Sequence, residues 1–116
     1  MTDLKPQIKF EDFSKVDMRI GIVLSAEEVA ESEKLIKMEV DFGQLGKRQI
    51  IAGIKKWYKP EALVGKQLPF VINIEPRKLM GLESQGMLLA VDYNDSADKA
   101  IILLPQDEAE NGAIIR

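Results

Sequence analysis

Ile36-Lys-Met-Glu-Val-Asp-Phe-Gly-Gln-Leu-Gly-Lys-Arg-Gln-Ile-Ile-Ala52 decides the fold. Ile36, Met38, Val40 and Phe42 alternate with Lys37, Glu39 and Asp41, the period of two that turns one strand face to a core and the other to water. Gly43-Gln-Leu-Gly46 supplies turn residues, and Lys47–Ala52 reads as the returning strand, so the stretch closes a hairpin. Working outward, Met18, Ile20, Ile22 and Leu24 alternate with Arg19, Gly21 and Val23, and Leu68, Phe70, Ile72 and Ile74 with Val71 and Asn73. Met87–Val91 is apolar on both faces, as a central strand would be. Asp92–Asp98 predicts a polar turn, and Ala100–Leu104 a further short strand. Phe10–Lys15 predicts a helical turn before the first strand. Pro60–Val64 fits a short helix, with Pro60 at its first position and Gly65 just past its end. Ala26–Lys34 is rich in Glu and reads as a loop with a helical turn.

Many short strands, with one short helix between the third and fourth, predict an all-β chain. The architecture expected is a five-stranded β-barrel of the OB-fold type with extra N- and C-terminal segments; a sandwich is the alternative. The 116 residues fit a single domain spanning 1–116. Five strands account for roughly 80 residues, from Asp17 to Val91. The arm through Phe13 and residues 99–116 lie outside that barrel and carry Ile8, Phe10, Phe13, Ile114 and Ile115. A second copy would cover these side chains, which predicts a homodimer with an isologous two-fold interface.

Composition narrows the function. The chain has no histidine and no cysteine, which excludes zinc sites, Cys–His pairs and Ser–His–Asp triads. Binding is therefore expected rather than catalysis, with no cofactor and no metal. The longest apolar runs are about five residues, where a membrane helix needs roughly 20, and the polar N-terminus is not a signal peptide. The expected location is the cytoplasm. The net charge is −3, but it is unevenly spread: residues 47–78 hold eight basic residues against Glu61 and Glu75 only, while both flanks are acidic. A basic middle in an acidic chain gives one face attractive to polyanions; the rival reading is lysines that solvate loops.

The densest motif is Asn73-Ile-Glu-Pro-Arg-Lys-Leu-Met-Gly-Leu-Glu-Ser-Gln-Gly-Met-Leu-Leu-Ala90. Pro76 is expected to break a ladder there, which would let both Arg77 and Lys78 face the same groove as Lys34. Ser84 offers a hydroxyl, and Met87 a flexible apolar surface for a base. Each of these residues also has a plain reading as a turn or core residue. Ser84 is not a nucleophile elbow, because position 82 is leucine and no histidine base exists. Asp92–Asp98 lacks the sixth-position glycine and closing glutamate of a calcium loop. Lys55-Lys-Trp-Tyr-Lys59 interleaves cations with aromatics, a composition that binds phosphate and stacks bases. Here Trp57 is read as packing against the barrel, and Lys55 and Lys56 as contact surface.

Taken together, Phe10-x-Asp-Phe-x-Lys-Val-Asp-Met-Arg-Ile-Gly21, Glu33-Lys-Leu35, Val40-Asp-Phe-Gly43, Ile51-Ala-Gly-Ile54, Tyr58-Lys-Pro-Glu-Ala-Leu63, Asn73 through Ala90 and Gly112-Ala-Ile-Ile-Arg116 resemble the tRNA-binding domain. That domain occurs at the C-terminus of methionyl-tRNA synthetases, in the endothelial monocyte-activating polypeptide and as free-standing structure-specific tRNA-binding proteins. The resemblance implies an OB-fold, a homodimer in free-standing members and tRNA recognised by shape. It implies a surface that includes Lys34, Asn73, Arg77, Lys78, Ser84 and Met87. Met80 stands where related sequences often carry a basic residue, which implies one phosphate contact fewer. One relative of the family is an export chaperone that binds peptides, so unfolded peptides are the alternative ligand, and an aminoacyl-tRNA synthetase an alternative partner. No synthetase catalytic region is present, and Met1 favours a free-standing chain over an excised appendix.

Overall fold

The computed structural model describes residues 3–93 and 98–116. In chain order the elements are α1 (Phe10–Phe13), β1 (Met18–Glu28), β2 (Ile36–Asp41), β3 (Lys47–Ala52), β4 (Gln67–Val71), β5 (Arg77–Leu79), β6 (Leu82–Ser84), β7 (Met87–Leu88), β8 (Ala90–Asp92), β9 (Ala100–Ile102) and β10 (Ile114–Ile115). Single 3-10 turns sit at Gly43–Leu45 and Pro60–Ala62. The main sheet runs β3-β2-β1-β4-β7, with β10 also on β1. This is the five-stranded OB-type barrel that the alternation predicts, with a turn of helix between β3 and β4.

β1 is long and bent, and different stretches of it pair with different partners. Met18 to Ile22 pair with β4, and Ile22 to Glu28 with β2, with a register shift between Val23 and Ser25. A bulge of this kind bends the strand and increases its twist, which helps a flat sheet to curl. Curling brings the backbone of Gly21 close to β2: a Cβ there would lie 2.6 Å from Val40 Cγ1 and 2.7 Å from Phe42. The interior is filled by Val23, Ile36, Met38, Val40, Phe42, Ile50, Leu63, Leu68 and Phe70, all fully buried. Phe42 and Phe70 meet edge to face, with ring centroids 5.5 Å apart. Leu63 follows the Pro60–Ala62 turn and joins this core, so that short turn is held by one anchoring side chain. Trp57 and Tyr58 pack against the same cluster, as the sequence suggests for Trp57.

Closure between β3 and the chain at the end of β6 combines backbone and side-chain bonds. Gln85 N–H donates to Gln49 O at 2.8 Å, Gln49 N–H to Gln85 Oε1 at 2.9 Å, and Ile51 N–H to Ser84 Oγ at 3.0 Å. Arg48 adds a clamp, with Nη1 donating to Ile72 O and Gln85 O at 2.5 and 3.0 Å. Gly86 fits closely beside it: a Cβ would lie 3.0 Å from Val71 O and 3.1 Å from Ile50.

Two elements differ from the sequence reading. Ala26 to Glu28 continue β1 instead of starting a loop. The next turn is closed by Val29 N–H to Leu35 O and by Ser32 Oγ, which accepts from the N–H groups of Lys34 and Leu35. Met87–Val91 is not one central strand. Leu89 N–H donates to Pro69 O at 3.0 Å, but proline has no N–H to return the bond. The chain leaves β4 at that point, and β8 pairs with β9, Val91 opposite Ile101. Residues 94–97 of the expected Asp92–Asp98 turn lie outside the described residues.

The C-terminal segment also finds a place on the barrel. Gln67 Nε2 donates to Ala109 O and Asn111 Oδ1, while its Oε1 accepts from Ala109 N–H. Gly112 N–H donates to Ile20 O at 2.7 Å, and Ile20 N–H to Ala113 O at 3.0 Å. β10 then pairs with Met18 and Arg19. Ile115 is half-buried in this way, while Ile114 stays 57% exposed. Among the described residues no helix is long and apolar enough to cross a membrane.

Candidate nucleic-acid interface

Pro76 leaves the neighbouring ladder intact. Arg77 enters β5 directly, and the β5–β6 hairpin pairs Arg77 with Ser84, Lys78 with Glu83 and Leu79 with Leu82. The connection is the two residues Met80 and Gly81, at φ +53 and +79. Two positive φ values make a type I′ turn, whose twist matches that of the flanking strands. Residues directly opposite share a face, and neighbours along a strand do not. Arg77 therefore lies on the Ser84 face and Lys78 on the Glu83 face. The expectation that Pro76 would turn both cations into one groove is corrected by this register.

Arg77, Ser84 and Met87 line one small cleft of about 40 Å³, together with Ile51, Ile74 and Leu79. Arg77 is exposed at the rim, and Met87 is 39% exposed. Ser84 is only 5% exposed; its Oγ accepts from Ile51 N–H and donates to Gly86 O at 3.0 Å. Its hydroxyl is thus spent on barrel closure, a role its turn-like sequence context does not reveal. Asn73, also exposed, precedes Ile74 of the cleft. Its Oδ1 accepts from Asp17 N–H at 2.8 Å, and its Nδ2 donates to Lys15 O at 2.6 Å. It ties the N-terminal arm down beside the cleft.

The remaining candidates form a second group. Lys34 O accepts from Lys55 N–H at 3.0 Å, which joins the β1–β2 turn to the chain leaving β3. Lys34 and Lys56 are exposed. Lys55 is half-buried, and its Nζ donates to Ser32 O at 2.5 Å and Val29 O at 3.5 Å. It pins that turn, and little of it is presented outward. The two groups are linked through the end of β3: Ile51 N–H donates to Ser84 Oγ, and Lys55 is four residues on, at most about 14 Å of chain. The basic block is less uniform than its sequence. Arg48 and Lys55 serve the frame, and Lys66 borders Leu104, Pro105, Asp107 and Glu108 of the C-terminal segment. Arg48, Gln49 and Gln85 carry barrel closure; the two glutamines are 36 positions apart, and no local pattern joins them.

A small OB-type barrel with exposed cations on the β5–β6 hairpin and on the chain leaving β3 defines a class of polyanion-binding module. The particular family is given by comparison. The family model described as "Putative tRNA binding domain" matches residues 18–113, and the chain belongs to that family. It is 49% identical over 111 residues to a methionine–tRNA ligase of Methanococcoides burtonii, which covers 96% of this chain and 16% of the ligase. A ligase of Methanothrix thermoacetophila is 50% identical over 112 residues, 97% of this chain and 16% of the ligase. The chain therefore spans about a sixth of those synthetases. Among solved structures it resembles a MetRS-related protein from Pyrococcus horikoshii, with TM-score 0.89 and 37% identity over 97% of this chain and all of that one. It also resembles the chaperone CsaA from Bacillus anthracis, with TM-score 0.86 and 37% identity over 96% of this chain and all of that one.

Proposed function

We propose that this chain is a non-catalytic tRNA-binding protein, a single domain over residues 1–116. It acts as a cytoplasmic homodimer, free-standing or as an appendix of a methionyl-tRNA synthetase, without metal or cofactor. The observation that carries this reading is the family match over residues 18–113, which takes in the whole barrel and the β5–β6 hairpin. Lys34, Lys56, Arg77 and Lys78 supply exposed cations for phosphates, which gives affinity with little sequence information. Met87 gives apolar contact in the cleft, and Asn73 and Ser84 hold the surface in shape. The test is a filter-binding titration with bulk tRNA, with double-stranded DNA as control. Saturable tRNA binding that weakens with salt and exceeds DNA binding is expected. Equal binding to both, or none, overturns the reading.

The resemblance to CsaA favours one second reading, a chaperone that takes unfolded peptides through exposed Ile74, Met80 and Met87. Salt separates the two. Peptide binding through apolar contact is weakly screened, whereas phosphate contacts release counterions and lose affinity steeply.

A further inference from the structure

The β5–β6 hairpin ends in a residue that its backbone does not favour. Met80 is the one non-glycine residue with positive φ among the described residues. Type I′ turns favour Asn, Asp or Gly at this position, because a longer side chain is strained in the left-handed region. Met80 nevertheless occupies it, and it is not buried in return: it is 56% exposed. A Cβ built on Gly81 would meet nothing within 4 Å, so the tip stands clear of the barrel. Leu79 and Leu82 pair at the last rung, both half-buried, and stiffen the ribbon under the tip. Below them Arg77 lies on one face and Lys78 on the other. Glu83, opposite Lys78, has its Oε1 engaged by Gln85 Nε2 at 3.3 Å. The hairpin is thus a narrow ribbon with a cation on each face and a flexible apolar thioether at its end.

We propose that Met80 is a wedge that packs on the face of an unstacked base in bound RNA, while Arg77 and Lys78 hold phosphates on either side of the ribbon. This rests on the tRNA reading and adds to it a contact that needs an unpaired nucleotide. A backbone conformation kept against local preference is a reason to look for such a role, and a methionine adapts to an irregular apolar surface.

The experiment compares the parent with Met80→Asn and Met80→Leu, each titrated with bulk tRNA and with a blunt, fully paired RNA duplex, alongside thermal melts. Asn suits the turn, so Met80→Asn should melt no lower than the parent. Its affinity for tRNA should fall about five- to tenfold, the scale of one lost base contact. Its affinity for the duplex and its salt slope should not move, because no charge is removed. Met80→Leu keeps an apolar tip and should retain most of the tRNA affinity. Parent-like tRNA binding by Met80→Asn overturns the wedge, as does an equal loss on tRNA and duplex. A parent that does not bind tRNA overturns the underlying reading itself, and shows this before any variant is compared.

Discussion

Ser84, Arg77 and Lys78 are close in sequence, yet they should fail in different ways when removed. Ser84→Ala leaves Ile51 N–H and Gly86 O without their partner, and orphaned buried polar groups cost about 1–3 kcal/mol. Urea unfolding should show that loss, while the salt slope of tRNA binding stays unchanged. Arg77→Ala and Lys78→Ala should each leave unfolding within about 0.5 kcal/mol of the parent, as exposed substitutions usually do. Each should flatten the slope of log affinity against log salt by roughly 0.7–0.9, and the double variant by roughly twice that. Lys5→Ala and Lys99→Ala serve as controls, since both lie in the acidic flanks. A double variant with the parent's slope would move the contact surface to Lys34 and Lys56. Residue identity alone suggests Ser84 as a contact; burial turns it into a support for one.

Among the elements, the C-terminal strap is the one whose strength can be tested by a single methyl group. Gly112 sits at φ +92, and a Cβ would run into the carbonyl oxygen of Phe42. Gly112→Ala combines an unfavourable conformation with that collision, and should cost roughly 2 kcal/mol or more. If the strap peels locally, amide exchange should quicken at Ile20, whose N–H donates to Ala113 O, while Met38 in the fully buried core keeps its protection. Uniform acceleration at both would mean that strap and barrel open together. The strap also marks the limit of what the sequence makes legible. The β2–β3 hairpin and the barrel strands announce themselves through local alternation, which depends only on neighbours two positions apart. The docking of Gln67 on Ala109 and Asn111, or of Ser84 on Ile51, joins residues more than 30 positions apart, and no local pattern encodes it. The break of Met87–Val91 at Leu89 likewise has its cause in Pro69, 20 residues earlier. The cation-bearing motif is readable as composition, but its two-faced arrangement requires the register of β5 on β6.

At the scale of the whole molecule, the two terminal segments carry several exposed apolar side chains. Phe10 is 82% exposed, Ile8 61%, Ile114 57% and Phe13 41%; α1 buries none of its residues. The arm is anchored at its root by Asn73, and Ile114 is held on the barrel by β10. A homodimer that buries them should show a melting temperature that rises with protein concentration, because association draws on the folded state alone. Phe10→Asp combined with Ile114→Asp would bury charge in such an interface and should yield a monomer by light scattering. A homodimer would matter for the ligand as well. Such a dimer would place two cationic surfaces in one particle, and a tRNA that reaches both would gain effective concentration for the second contact. The monomeric variant keeps Lys34, Lys56, Arg77 and Lys78, so each cleft is intact. Its tRNA affinity should nonetheless fall by about 100-fold, a low value for lost bivalency, with a salt slope near half that of the parent. A variant that is monomeric yet keeps both the affinity and the slope would show that one copy suffices.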